Sequence, residues 1–417
     1  MTRHLPCLAA ASLLLAVGCR PDPRAITSVS AELEPIVQGS NDFAWDSWQA
    51  SRDHLQGNMF FSAFSQVAAM SMVYAGAEGD TEAELGAALS VPEGGEESWH
   101  EQLGLLIADL SGEHHRPYTL YSANQLWGQA GYPWEQPFLD LTAGHYQAPM
   151  EDVDFKADPE GARRDINRWV ADQTHDRIDE LFQQGSIDNL ARMVLANAIY
   201  FLADWDLPFD EGDTQDRDFE LADGSTVTVP TMQHNEEHDF ADLEGLKILE
   251  MNYESAEVSM VLLLPDEADG LDALEDQLTA EQVDAWLDEL REAEVSVRVP
   301  SFQMETDFPI EAVLIDLGVE TAWLEGAADF SGMLDPDVEK LWLDRVVHKA
   351  FVRMDEEGTE AAAATGAVMS GELAYEPGDP AEFHADHPFI FMIRDRLTGT
   401  ILFQGRMSDP SQAPLLD

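Results

Sequence analysis

The sequence predicts an α+β fold, with helices gathered in its first third and strands through the rest. Three observations carry this. Val67 to Tyr74 is apolar on nearly every side, as in a helix buried all round. Phe219 to Val229 reads as two strands about an Asp223-Gly224 turn. Val258 to Leu264 is a short, wholly apolar run that fits a central strand.

Taken in order, the chain opens on a targeting segment. Arg3 and His4 precede an apolar run from Cys7 to Val17 that is too short to span a bilayer. It ends in Leu15-Ala16-Val17-Gly18-Cys19. This resembles a bacterial lipobox, in which the Cys becomes the lipidated first residue, although Ala16 stands where that box prefers Leu. We expect residues 1–19 to be a signal peptide, and the protein to be exported and either lipid-anchored at the bacterial envelope through Cys19 or secreted. Cys7 leaves with the signal, so the mature chain can form no internal disulfide. Residues 20–40, with Pro21, Pro23, Pro35, Gly39 and Ser40, read as a tether. One domain is expected over 41–417. Within it Phe43, Trp45, Trp48 and Leu55 fall near one helical face, and Asp80 is placed to cap a helix over Thr81 to Leu89. Later, Glu294 to Val299 alternates, and Ile390 to Arg394 and Ile401 to Gly405 flank a turn at Thr398-Gly399.

Charge bounds the partners. Acidic residues number 81 against 22 basic ones, a formal charge of −59. Nucleic acid and anionic membrane surfaces repel such a chain, leaving a lipid anchor as its only expected hold on a membrane. The acidic surface resists aggregation and suits high salt, where screening removes self-repulsion. No calcium loop of the form Asp-x-Asp-x-Asp-Gly, Gly-x-Ser-x-Gly elbow, phosphate loop or dinucleotide fingerprint occurs. His234 and His238 are four apart but form no His-Glu-x-x-His pattern, and we expect them in a loop without a metal. Neither catalysis nor a cofactor is expected.

Six stretches, in order, resemble the serpin family. They are Asn58-Met59-Phe60-Phe61-Ser62 running on to Gly76 through Thr81; Asn197-Ala198-Ile199-Tyr200-Phe201 with Trp205 and Pro208-Phe209; Leu263 to Glu267; Ala328-Asp329-Phe330-Ser331-Gly332; Val347-His348-Lys349-Ala350-Phe351 leading into Glu356 through Thr365; and Phe383, Ala385 to Phe389 and Leu402 to Arg406. The resemblance covers about residues 41 to 410. It implies three β-sheets, about nine helices and an exposed reactive-centre loop. It also implies a monomer that acts as a suicide inhibitor. A serine or cysteine protease cuts the loop and forms an acyl-enzyme, and the cut loop then inserts into the main sheet as a new strand.

The loop sequence is suited to insertion. A strand alternates its faces. From Thr359, the inward face holds Thr359, Ala361, Ala363, Thr365, Ala367 and Met369, small except for Met369 and uncharged throughout. The outward face holds Glu360, Ala362, Ala364, Gly366, Val368 and Ser370, with Glu360 its lone charge. Glu356, Gly358, Thr359, Glu360 and Ala361 to Ala364 form the hinge that the resemblance implies. Gly358 and the alanines let it bend and enter without steric conflict.

The resemblance places the cut sixteen residues after Glu356, between Glu372 and Leu373. Counting back from Phe383 gives a slightly later position, near Ala374. A cut at Glu372 implies a glutamyl-specific target. Tyr375, Leu373 or Met369 would suit a chymotrypsin-like or elastase-like one. Ser62, Ser65, Asn197 and His348 match the polar shutter beneath the sheet opening, and Trp205 the breach where the loop enters. The family often pairs the glutamate matched by Glu356 with a Lys after Pro300, where this chain has Ser301. Two other functions stand against inhibition: a serpin-fold binding protein without insertion, and a structural acidic surface lipoprotein.

Overall fold

The computed structural model describes residues 32–92, 94–111, 118–359 and 380–415. Helices are α1 (Glu34–Ser51), α2 (Ala63–Tyr74), α3 (Gly79–Ala88), α4 (Glu96–Leu110), α5 (Gln136–His145), α6 (Pro159–Gln173), α7 (Leu271–Glu275), α8 (Ala280–Leu287) and α9 (Ile310–Asp316). Strands are β1 (Met59–Phe61), β2 (Thr119–Gln129), β3 (Glu151–Val153), β4 (Met193–Asp204), β5 (Gln215–Glu220), β6 (Thr226–Leu243), β7 (Leu246–Asn252), β8 (Val258–Pro265), β9 (Arg291–Pro300), β10 (Phe302–Phe308), β11 (His348–Met354), β12 (Gly358–Thr359), β13 (Ala381–His384), β14 (Phe389–Asp395) and β15 (Ile401–Met407). The α+β class and its nine helices among the described residues are as the sequence and its resemblance led us to expect.

Among the described residues hydrogen bonding joins the strands into two sheets, of nine and six strands, and the long β6 links the two parts of the larger one. Its first part pairs with β5 and β9, and β9 with β13. Its end pairs with β7, and hydrogen bonding continues through β8, β14 and β15 to β1. The six-stranded sheet runs β10-β11-β12-β4-β2-β3. The expected hairpin turn is there, with Gly224 at φ 79° where only glycine sits without strain. β8 is buried along its whole length, flanked on both edges by β7 and β14. Every residue of α2 is buried, so its apolar surface needs no polar face.

Three readings change. The tether does not extend to residue 40. Glu34 to Ser40 begin α1, with Ile36 and Val37 buried. Pro35 looks like a linker signal, but proline is well tolerated in a helix's first turn, where its missing N–H has no partner to lose. Gly39 is no linker glycine either, since a Cβ there would lie 3.0 Å from the Ser90 carbonyl. Asp80 lies inside the first turn of α3, whose N-cap is Glu78, without a side-chain cap bond. His234 and His238 sit on β6, in no loop, with their Nε2 atoms 2.9 Å apart and His234 stacked on Phe209.

Candidate functional site

The site is the seam between β4 and β11. The two strands are parallel and pair at His348–Asn197, Lys349–Ala198 and Ala350–Ile199. Above this clasp β12 lies between them, antiparallel to both: Thr359 pairs with Met354 on one side and Ala203 on the other, and Gly358 pairs with Asp204. Below it the chains part around a cleft of about 120 Å³ lined by Met193, Leu195, Leu341 and Val346. At the foot Arg192 and Glu339 form an ion pair at 2.9 Å.

The two residues of β12 are shaped for their slot. Gly358 needs its missing side chain because a Cβ would meet the Ala203 carbonyl at 2.2 Å. Close approach to β4, not left-handed backbone, is what demands glycine here. Thr359 is 2% exposed, and its hydroxyl meets the Tyr253 phenol at 2.5 Å. Tyr253 stacks on Trp205 with centroids 4.3 Å apart and planes 11° apart. Trp205 donates its indole N–H to the Asp355 carbonyl at 3.0 Å, and its backbone N–H to the Glu357 carbonyl. Trp205 thus touches the turn that leads into β12. Glu356 takes a hydrogen bond from the Thr214 hydroxyl at 2.5 Å, and its carbonyl accepts from the Phe209 amide. Ser301 is buried and donates its backbone N–H to Pro230, so Thr214 is the polar partner that Glu356 has in place of a Lys.

Like charges crowd this end. Desolvation first, then Asp355, Asp204, Glu211 and Glu356, push the Glu357 carboxyl above its ordinary value. Asp204 is raised in the same way, by burial and then by Asp355.

Ser62, Ser65, Asn197 and His348 meet at the clasp. Ser62 caps α2 by accepting the Ser65 amide at 3.1 Å and donates to the Leu402 carbonyl at 2.6 Å. The Ser65 hydroxyl lies 2.8 Å from the Asn197 Oδ1. His348 holds Asn197 Oδ1 at 2.9 Å through Nδ1 and accepts the Ser62 amide at Nε2, so the neutral Nδ1–H tautomer satisfies both nitrogens. Complete burial pushes this imidazole down to about 3 and keeps it neutral. Asn197 Nδ2 donates to the Asn124 Oδ1 at 2.6 Å. Sequence reasoning missed Asn124; only the β2–β4 register, which sets Asn124 opposite Asn197, reveals it. Tyr253, Asp355 and Thr214 were missed too, for no local pattern marks them.

Cys19, the hinge residues Glu360 to Ala364, and the bond between Glu372 and Leu373 lie outside the described residues.

An α+β fold with a slot in its six-stranded sheet between β4 and β11, Gly358 and Thr359 already seated there, defines the class. The serpin family, described as serine protease inhibitor, matches residues 38–410, and the chain belongs to it. The leukocyte elastase inhibitor of Bos taurus is 40% identical over 387 residues, covering 91% of this chain and 100% of that one. An uncharacterized serpin-like protein of Thermococcus kodakarensis is 37% identical over 377 residues, or 90% and 86% of the two chains. Among solved structures, human thyroxine-binding globulin with thyroxine superposes with a TM-score of 0.80 at 28% identity, covering 91% of this chain and 100% of that one.

Proposed function

We propose that this serpin inhibits a protease by offering its loop as a suicide substrate and inserting the cut loop between β4 and β11. The observation that carries this reading is the seating of Gly358 and Thr359 in the slot; in the sequence, alternate residues from Ala361 to Ala367 are small and uncharged. Continuing that register sets Ala363, Ala364 and Thr365 opposite Ile199, Ala198 and Asn197, the β4 residues now paired with β11. Insertion therefore has to open a clasp three residue pairs long, and the shutter side chains stand at one end of it. Neutral, fully paired polar groups suit this role, because their hydrogen bonds hold the strands yet can be exchanged.

The bait bond is Glu372–Leu373 in this reading, and the partner a glutamyl-specific serine or cysteine protease. Leu373, Tyr375 and Met369 favour a chymotrypsin-like or elastase-like partner instead. The protein acts as a monomer, exported and held to the envelope through a lipid on Cys19. A carrier that does not insert its loop is the competing reading, since human thyroxine-binding globulin has the same fold.

The test is incubation with glutamyl-specific, chymotrypsin-like and elastase-like proteases, followed by a denaturing gel. A band that survives denaturation at the summed mass of protease and inhibitor is expected. Cleavage of the loop by each protease without any such band would overturn inhibition.

A further inference from the structure

The Asp355 side chain gathers the turn between β11 and β12. One carboxylate oxygen accepts the Glu357 and Gly358 amides at 3.2 and 3.3 Å. The other takes the Arg353 Nε at 2.9 Å. The Asp355 amide closes the turn on the Gly358 carbonyl at 3.0 Å. The Asp355 carbonyl receives the Trp205 indole. These contacts join β11, the turn, β12 and the breach in one residue. An aspartate that bonds amides two and three positions on forms a turn by itself, before any strand pairing is made.

We infer that Asp355 is the positioning residue of the hinge: its carboxylate folds residues 355–358 into a turn that holds Gly358 and Thr359 in the slot before cleavage. Insertion then extends a strand already begun, rather than starting a new one. Forming the first pairs of a strand costs chain entropy before the ladder repays it. A preset turn removes that cost from the interval in which insertion competes with hydrolysis of the acyl bond. Asp355 touches no reacting atom and acts through Gly358 and Thr359. The idea rests on the inhibitory reading above.

The experiment compares wild type, Asp355→Ala and Asp355→Asn. In Asp355→Ala the ratio of cleaved to covalently complexed inhibitor is expected to rise about fivefold or more, as for loss of one to two net hydrogen bonds. The rate at which protease cuts the loop should stay within about twofold, since the bait is untouched. Asp355→Asn keeps an oxygen acceptor for both amides and should restore most of the partition. A second readout needs no protease: amide hydrogen exchange at Gly358 and Thr359 in the intact protein should speed up in Asp355→Ala and not in Asp355→Asn. Unchanged exchange and partition in a folded Asp355→Ala overturn the inference. So does an equal loss in both variants, which points to the charge rather than the turn. If wild type forms no covalent complex, the inhibitory reading fails, while the exchange data still decide whether Asp355 seats the hinge.

Discussion

Thr359 is the residue on which the inward row can be judged. It is buried against Tyr253, so Thr359→Arg would force a long cation into a closed, buried slot. We expect this variant to be cut normally but to insert slowly and become a substrate, with many inhibitor molecules consumed per protease blocked. Glu360→Arg, one position on and facing outward in the alternation, should change that number little. Equal effects at the two positions contradict the alternation. His348 gives a second test. Burial depresses its native pKa to about 3, while the unfolded chain titrates near 6.5. Below about pH 6.5 the unfolded state therefore binds a proton that the native state does not, and stability falls as pH drops from there toward 3, by about 1 kcal/mol per unit for this group. In His348→Gln the fall in unfolding free energy between pH 7.5 and 5.0 should be shallower than in wild type. An identical slope contradicts the assignment. Ser62, Ser65, Asn197 and His348 were legible in the sequence because family motifs mark them. Asn124 and Tyr253 were not, since only strand register and ring stacking bring them to the site.

The strands explain what could and could not be read ahead. β8, buried on both faces, and the β5–β6 hairpin carry their pattern locally, in apolar run and turn chemistry. The start of α1 is hidden in the sequence because Pro35 and Gly39 look like linker residues until the first-turn rule and the close approach of Ser90 are seen. β12 was legible in its facing but not in its being seated already, for that depends on the separation of β4 from β11. The loop beyond it should fix the protease. We expect Glu372→Arg to weaken inhibition of a glutamyl protease and to gain activity toward a trypsin-like one. Mass spectrometry of the fragment released from the complex locates the cut, and one three or more residues from Glu372 contradicts this bait.

For the molecule as a whole, the proposed hold on a membrane is the lipid on Cys19. Cys19→Ala should therefore move the protein from the membrane fraction to the soluble one. Wild type found soluble and unmodified at Cys19 contradicts the anchor. In the proposed mechanism an uninserted strand leaves the intact protein above a more stable form. Thermal unfolding of intact protein and of protein cut once in the loop tests it most directly. If insertion contributes on the order of 10 kcal/mol, the cut form should melt tens of degrees higher, on the usual relation between stability and midpoint. An equal or lower midpoint after cleavage would contradict insertion.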